Sequence, residues 1–198
     1  MKARDYRQQA WTAMNGKWGM AALIAFVYTC IMGVADSTGI GGLLLTGPLT
    51  LGMIIVATNI IENGEIKIEQ LFKGFDRFGD TIILSLLNSL FVFLWSLLFV
   101  IPGIIAGYSY SMSYYILKDN PSLSPNEARK RSIEMMKGNK WRLFCLHFSF
   151  IGWHILGALT AGILEFWIIP YQQAAEAAFY KSLLPVAEAV VPPQPVEA

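Results

Sequence analysis

The sequence predicts an all-α, polytopic membrane protein with six transmembrane helices in three hairpins, each preceded by an amphipathic interfacial helix. The first observation is composition. Of the 198 residues, 55% are hydrophobic and only 15% are charged, and the mean hydropathy is +0.47. Soluble domains carry about 25% charged residues. The second observation is that basic residues are confined to a few groups, and the third is a helix-start pattern that recurs along the chain.

The distribution of charge is more informative than its total. The 15 Lys and Arg residues nearly balance the 14 Asp and Glu residues, which gives a formal net charge of +1. A nucleic-acid-binding protein concentrates positive charge, so this balance argues against nucleic acid as a partner. The basic residues fall into four groups: Lys2 to Lys17, Lys67 to Arg77, Lys118 to Arg142, and Lys181.

The blocks between these basic groups are long enough to cross a bilayer twice and return to the same side. The positive-inside rule then places every basic group, and both termini, in the cytoplasm. We therefore expect hairpins over about residues 18–61, 81–117 and 141–184. Residues 1–184 form one membrane domain in this interpretation, and the Pro-rich segment 185–198 is expected to be disordered.

The first hairpin contains an interruption at Thr46-Gly47-Pro48. Proline suits the first turn of a helix, so the second helix can start at Pro48. From Pro48 to Ile61 the helix would be only about 21 Å long. Alternatively, the residues from Ile40 extend this helix past a kink, or they form a re-entrant segment buried by neighbouring helices. The sequence leaves these alternatives open.

The clearest interfacial helix lies within the segment from Ser124 to Trp141. Ser124, Pro125 and Glu127 form a capping box with proline at the first helical position, and Gly138 is placed to end the helix. Apolar and charged residues gather on opposite sides of this helix, so we expect it to lie at the headgroup boundary. The candidate contacts with anionic lipid headgroups are Lys130, Arg131, Lys137 and Lys140.

The same pattern recurs near the N-terminus and, more loosely, in the middle of the chain. Aligning Gly16 with Gly138 superimposes Arg7 on Arg129, and both arginines fall in an apolar arc, so Arg129 is expected to snorkel. The middle copy ends at Gly74. These observations predict an internal repeat with three amphipathic cytoplasmic helices, over about residues 3–15, 65–73 and 125–137.

Acidic residues occur deep inside an apolar block only on the predicted sixth helix. Glu165 and Glu176 are eleven residues apart, and Gln172 shares their face, which makes a polar stripe about 16 Å long. Ionisable groups at membrane depth are expensive and are a functional hypothesis by default. The alternative is that Glu165 reaches the outer interface and Glu176 the inner one, where each is solvated.

Two histidines, His147 and His154, lie seven residues apart and share a face of the predicted fifth helix. A metal site would need further ligands at suitable spacing, and no other Cys or His provides them. Interhelical hydrogen bonds are the favoured interpretation, and we predict no metal and no cofactor. Motifs for nucleophilic, phosphate-binding or zinc-protease chemistry are missing from the sequence, so an enzyme is not predicted. An intramembrane enzyme using His147, His154 and Glu165 is a distant alternative.

Several segments look like landmarks of a known family. They are IPGIIAGYSYSM at 101–112, YILKDNPSLSPNEA at 115–128, MMKGNKWRLFCL at 135–146, SFIGW at 149–153 and PYQQAAEAAFY at 170–180, with Gly47-Pro48-Leu49 and Leu71-Phe72-Lys73-Gly74-Phe75 upstream. In these segments the chain resembles a bacterial family of integral membrane proteins known as domain of unknown function 975. The resemblance implies a multispanning protein of the bacterial cytoplasmic (inner) membrane. It implies no activity, ligand or site residue.

Taken together, these patterns favour a non-enzymatic accessory or binding protein embedded in the membrane. Its expected partners are membrane lipids, together with another membrane protein or a second copy of the chain, engaged through the basic cytoplasmic face. The alternative function is a small-solute transporter or channel whose pathway is lined by Glu165, Gln172 and Glu176.

Overall fold

The computed structural model describes residues 2–37, 40–62 and 64–190, and within these ranges the chain is helical with no strand. The predicted all-α class is therefore confirmed. The helices are α1 (Ala3–Ala13), α2 (Trp18–Ser37), α3 (Ile40–Ile61), α4 (Glu69–Phe72), α5 (Phe78–Leu98), α6 (Val100–Tyr110), α7 (Ser113–Asp119), α8 (Pro125–Met135), α9 (Lys140–Phe148), α10 (Ile151–Leu159) and α11 (Glu165–Val190). A 3₁₀ segment, Lys73–Arg77, joins α4 to α5.

In the described part of the chain, four stretches are long and apolar enough to cross a membrane. They are Trp18–Ser37, Leu44–Ile61, Glu69–Leu97 and Lys140–Leu159. The six predicted spans are thus not confirmed as a set. The predicted fourth span is divided by a turn at residues 111–112 into the short helices α6 and α7. The predicted sixth, α11, is not among these four stretches, and much of it is buried inside the protein.

The helices α3 and α11 form the centre of the molecule. Of the apolar window in α3, 61% is buried, against 17% for the window that includes α5. On α11 a nearly continuous run from Ala174 to Tyr180 is buried, with Glu176 as the partly exposed exception. The peripheral helices instead expose large apolar side chains, among them Phe93, Leu97, Ile155 and Leu159. An apolar surface of this kind suits a lipid environment rather than water.

The interruption at Thr46-Gly47-Pro48 does not break the helix, because α3 runs continuously from Ile40 to Ile61 with Pro48 inside it. Residues 40–47 are therefore helical. Helix α3 packs so closely on the segment around α4 that a Cβ atom on Gly52 would overlap the Leu71 carbonyl group. A Cβ atom on Gly74 would likewise overlap the Pro48 carbonyl group. Glycine at these two positions lets the backbones touch.

The helix α8 begins with the predicted capping box. The Ser124 hydroxyl accepts a hydrogen bond from the Glu127 N–H, and the Glu127 carboxylate accepts one from the Ser124 N–H at 2.9 Å. The Ser124 hydroxyl also donates a hydrogen bond to the Glu127 carboxylate at 2.6 Å. This bond and the one from the Ser124 N–H hold the pKa of the exposed Glu127 below its ordinary value. Gly138 after α8 and Gly16 after α1 share a left-handed backbone, with φ of +78° and +77°. The internal repeat itself stays a prediction.

The middle copy of the predicted interfacial helix is shorter than expected. In place of a helix over residues 65–73, the four-residue α4 is followed directly by the 3₁₀ segment Lys73–Arg77. Gly74 lies inside that segment and is buried against α3, so it does not end a helix as Gly138 does. Gly74 here serves the close approach of the backbone to Pro48 on α3.

Arg129 does not snorkel to the surface, and that prediction is wrong. Its side chain is buried, and the guanidinium carbon lies 3.9 Å from the centroid of the Phe91 ring. The Arg129 Nη2 also donates a hydrogen bond to Asn126 Oδ1 at 2.9 Å. An aromatic face stabilises a buried guanidinium, which explains why this arginine is accommodated on the apolar side of α8.

Helix α11 extends to Val190, so residues 185–190 of the segment predicted to be disordered are helical. Residues 186–190, VAEAV, include two alanines and a glutamate, which favour helix. Residues 191–198, the remainder of the predicted disordered segment, lie outside the described residues.

Candidate functional site

The polar residues of α11 face the helices α9 and α10. Glu165, Gln172 and Glu176 share one face of α11 because their spacings of seven and four residues correspond to about two turns and one turn of helix. His147 on α9 and His154 on α10 lie opposite this face. Both histidines make interhelical hydrogen bonds, which confirms the favoured interpretation of that pair.

The Glu165 end of the site is organised by His154. Its Nδ1 atom lies 3.0 Å from Glu165 Oε2, and its Nε2 atom lies 2.8 Å from Gln172 Oε1. The imidazole therefore bridges two residues that are about two turns apart on α11.

The other end of the site converges on one oxygen of Glu176. Gln172 Nε2 donates a hydrogen bond to Glu176 Oε1 at 3.0 Å, and His147 Nε2 lies 2.9 Å from the same oxygen. On the other side of the imidazole, the Tyr108 hydroxyl lies 3.2 Å from His147 Nδ1. The result is one continuous chain of side chains, called here the polar network: Glu165, His154, Gln172, Glu176, His147 and Tyr108.

The hydrogen-bond pattern sets how many protons the polar network holds. With Gln172 Nε2 donating to Glu176, the Gln172 Oε1 atom must accept from His154 Nε2. The other nitrogen of His154 then faces the Glu165 carboxylate, and a proton lies between them. This pair is either an imidazolium with a carboxylate or an imidazole with a carboxylic acid.

A 180° rotation of the Gln172 amide, which exchanges Oε1 and Nε2, does not remove the need for an additional proton. The Gln172 oxygen would then face Glu176 Oε1, and two oxygens at 3.0 Å need a proton between them. The extra proton would reside on Glu176 instead of the His154 and Glu165 pair. In either orientation, the polar network holds one more proton than it would hold if both imidazoles were neutral and both carboxylates were ionised.

Access to the polar network differs between its ends. The Glu176 side chain is 15% exposed, whereas that of His154 is 42% exposed. His147 and Tyr108 border a cleft of about 370 Å³ beside α5 and α6, whose other lining residues include Val92, Ser96, Gly103 and Gly107. The network therefore has a sheltered centre at Glu176, a more open end at His154, and a lateral opening at Tyr108.

A second polar cluster lies beyond Glu176, toward the end of α7. The Tyr180 hydroxyl donates a hydrogen bond to Asp119 Oδ2 at 2.8 Å, and the Tyr115 ring stacks on the Tyr180 ring with centroids 4.9 Å apart. Tyr115 is 2% exposed, and its hydroxyl has no hydrogen-bond partner among the described residues. Glu176 acts electrostatically on that hydroxyl. Neither tyrosine carries a sequence signal beyond the general enrichment of tyrosine near membrane interfaces.

The candidate headgroup contacts lie apart from the polar network, on α8, in the turn that follows it, and at the start of α9. Lys130 and Lys137 are exposed, and Arg131 and Lys140 are partly exposed. Across residues 2–37, 40–62 and 64–190, none of these four side chains forms a hydrogen bond or an ion pair. Their charges are therefore available to an external anion.

Metal ligands are not assembled in the described part of the chain. No group of three or more His, Cys, Asp and Glu side chains is placed there to hold a metal ion. Glu165 and Glu176 instead each pair with one histidine.

These features, an all-helical architecture with several long apolar helices, are consistent with a membrane protein. Residues 96–186 match the family model described as "Protein of unknown function (DUF975)". This match confirms the resemblance predicted from the sequence, and all six residues of the polar network lie inside the matched segment. No curated protein and no solved structure gives a significant match to the chain.

Proposed function

We propose that the protein is a six-span protein of the bacterial cytoplasmic membrane, with both termini in the cytoplasm, that moves a small solute along the polar network. Two further spans are proposed in addition to the four apolar stretches. One is formed by α6 together with α7, and the other is formed by α11. Polar helices of this kind are tolerated at membrane depth when neighbouring helices surround them. The burial of α11 and of most of α7 supports this assignment.

The single observation that carries the proposal is the continuity of the polar network. An interhelical hydrogen bond that only holds two helices together needs one donor and one acceptor. Here four ionisable side chains on three helices are joined through Gln172 into one chain. Ionisable groups are rare in membrane helices and mark solute and proton pathways when they occur. This favours the transporter alternative over a purely structural role.

The chemistry of the polar network favours movement of a solute over catalysis. Its members are two carboxylates, two imidazoles, one amide and one phenol, which bind and exchange protons well. None of the six is a serine, threonine or cysteine hydroxyl or thiol that an adjacent imidazole would activate as a nucleophile. We therefore propose a non-enzymatic function.

The test is flux in reconstituted vesicles of phosphatidylethanolamine and phosphatidylglycerol. The probes are protons, followed by a trapped pH dye, and glycerol, urea and glycine, followed by light scattering. Glu176→Gln is expected to reduce the flux of the transported probe to the leak of protein-free vesicles. Glu134→Gln, an exposed carboxylate on α8, is the matched control and should behave as wild type. Wild-type vesicles that move none of these probes would contradict the proposal.

A second candidate function is supported by the unpaired basic side chains of α8 and α9. As an accessory protein, the chain would bind anionic lipid headgroups through Lys130, Arg131, Lys137 and Lys140 at the cytoplasmic surface. Another membrane protein or a second copy of the chain is the further partner proposed for this basic face. The two candidate functions use separate residues, so variants can test them independently.

A further inference from the structure

The cleft beside α5 and α6, called here the lateral cleft, has apolar walls and one polar end. Its volume of about 370 Å³ lies within the range of about 300–1,000 Å³ that is usual for small-molecule sites. Tyr108, Ser111 and His147 lie at one end of the cleft. Its walls toward the other end are apolar and include Val92, Val100 and Ile104. An amphipathic molecule matches this division into an apolar and a polar part.

The lateral cleft opens on the apolar surface of α6. Val100 and Ile104, which line the cleft, are 70% and 53% exposed, and the neighbouring Ile101 is 71% exposed. A surface of this kind suits lipid chains rather than water. Gly107 keeps the middle of the cleft open, because a Cβ atom at this position would meet no atom within 4 Å. A hydrocarbon chain can therefore enter the cleft sideways from the bilayer.

The hydrogen bonds behind the lateral cleft fix the direction of the Tyr108 hydroxyl. In both orientations of the Gln172 amide, Glu176 Oε1 accepts a hydrogen bond from His147 Nε2, because Glu176 is either ionised or directs its proton at Gln172. The proton count of the polar network leaves His147 neutral, so its Nδ1 atom carries no proton and acts as an acceptor. The Tyr108 hydroxyl, 3.2 Å from Nδ1, therefore donates to it.

The polar end of the lateral cleft thus offers hydrogen-bond acceptors. A tyrosine hydroxyl has one proton, which Tyr108 gives to His147, and its oxygen can still accept. Within the described part of the chain, this oxygen accepts no hydrogen bond. The Ser111 hydroxyl likewise donates to the Tyr108 carbonyl group at 2.9 Å. The remaining hydroxyl of the cleft, on Ser96, packs against Gly103. A ligand that pairs with Tyr108 or Ser111 must bring a donor.

We propose that the lateral cleft binds a bilayer lipid that carries a free hydroxyl group, such as a long-chain alcohol or a diacylglycerol. Its hydroxyl donates to the Tyr108 oxygen, and its chain lies toward Val100, about 12 Å away along α6. Ester and phosphodiester groups accept hydrogen bonds without donating, so they do not match this end of the cleft. In the hydrocarbon region no water competes for the Tyr108 oxygen, which makes the hydroxyl selective. Binding requires no flux, so this inference goes beyond the proposed function and does not depend on it.

The experiment measures binding to the full chain in vesicles of phosphatidylcholine, a lipid without a hydrogen-bond donor. The probe is a long-chain alcohol with a photoreactive diazirine on its chain, and mass spectrometry of the digested protein locates the label. The competitors are hexadecanol and hexadecyl methyl ether, which has the same chain and no donor. We expect the label on α6. Hexadecanol should displace the probe at about fivefold lower concentration than the ether, which is the effect of one hydrogen bond.

Two variants test the middle of the cleft and its polar end. Gly107→Leu places a side chain in the cleft and is expected to abolish labelling of α6. Gly152→Leu on α10 is the matched control, because Gly152 is also exposed and a Cβ atom there likewise meets no atom within 4 Å. It should keep wild-type labelling. Tyr108→Phe keeps the ring and removes the acceptor, so hexadecanol and the ether should compete equally in this variant.

Each part of the experiment can overturn the proposal. Equal competition by hexadecanol and the ether in the wild-type protein would show that the hydroxyl is not recognised, and this measurement needs no variant to fold. Wild-type labelling of α6 in Gly107→Leu would show that the probe lies outside the cleft. An unchanged preference for hexadecanol in Tyr108→Phe would exclude Tyr108 as the acceptor. A dimer in detergent that becomes monomeric in Gly107→Leu, measured by light scattering, would identify a second copy of the chain as the occupant and overturn lipid binding.

Discussion

His154 and Gln172 are joined by a hydrogen bond of 2.8 Å between Nε2 of the imidazole and Oε1 of the amide. This bond connects the Glu165 end of the polar network to the Glu176 end, since the described contacts provide no other link between them. A network that conducts must pass through it. A network that only holds helices together would tolerate its loss at a modest cost in stability.

The amide of Gln172 is therefore the first target for substitution. Gln172→Met keeps the length of the side chain and removes both of its hydrogen bonds. We expect flux to fall to the leak of protein-free vesicles and the free energy of unfolding to fall by about 1 kcal/mol, because His154 and Glu176 each lose a partly buried hydrogen-bond partner. Flux in the vesicles and the midpoint of unfolding in detergent measure the two effects.

Gln173→Met serves as the control for this variant, because the neighbouring Gln173 side chain makes no hydrogen bond among the described residues. It should retain wild-type flux. If both variants conduct equally well, Gln172 does not carry the pathway.

The contact between α3 and the residues around α4 predicts a strong effect of one methyl group. Gly52→Ala would place its Cβ atom on the Leu71 carbonyl group, which is backbone and cannot rotate away. We expect destabilisation by about 1–3 kcal/mol, as overpacking produces in other cores. Gly79→Ala on α5 meets no atom within 4 Å and should stay within about 1 kcal/mol of wild type. Equal midpoints of unfolding for the two variants would show that this backbone contact is absent.

The basic residues of α8 predict a charge-dependent affinity for anionic membranes. Each exposed lysine near an anionic surface contributes about 1 kcal/mol, so Lys137→Gln should weaken binding to phosphatidylglycerol vesicles about fivefold. Lys67→Gln removes one charge from a side chain that lies 3.4 Å from Glu65, so a smaller loss is expected there. Binding of detergent-purified protein to vesicles at low and high salt measures the difference. An affinity unchanged by Lys137→Gln would reject headgroup binding by α8 and the turn that follows it.

The six-span topology predicts which loops face outward. Single cysteines introduced at Asp36 and Gly162, in a background without Cys30 and Cys145, should react with an impermeant thiol reagent added to intact cells. A cysteine at Lys130 should react only after the cells are opened. Labelling of Lys130 from outside, or protection of both loop positions, would overturn the proposed orientation.

Features that depend on neighbouring residues in the chain were predictable from the sequence. The capping box of α8 needs only Ser124 and Glu127 three residues apart, and the polar face of α11 follows from helical periodicity. Both are found in the structure. Whether residues 40–47 are helical could not be decided from Pro48 alone, since this part of α3 packs on another helix: a Cβ atom on Gly47 would overlap the Thr81 carbonyl group of α5.

Features that depend on tertiary contacts escaped prediction. Glu176 and His147 are 29 residues apart in the chain, and nothing in either helix alone indicates that they form a hydrogen bond. The contact between Arg129 and Phe91 also joins separate helices. The periodicity of α8 alone does not reveal it, and for that reason the sequence predicted that Arg129 snorkels. The Tyr115 hydroxyl is conspicuous only once its burial is known.

The central claim is that the polar network conducts through Glu176, and proton flux in reconstituted vesicles tests it most directly. The prediction is that wild-type protein lets protons enter faster than the leak of protein-free vesicles, and that Glu176→Gln abolishes this increase while Glu134→Gln preserves it. If vesicles with folded wild-type protein and vesicles with folded Glu176→Gln show the same proton flux and the same solute flux, the claim is contradicted.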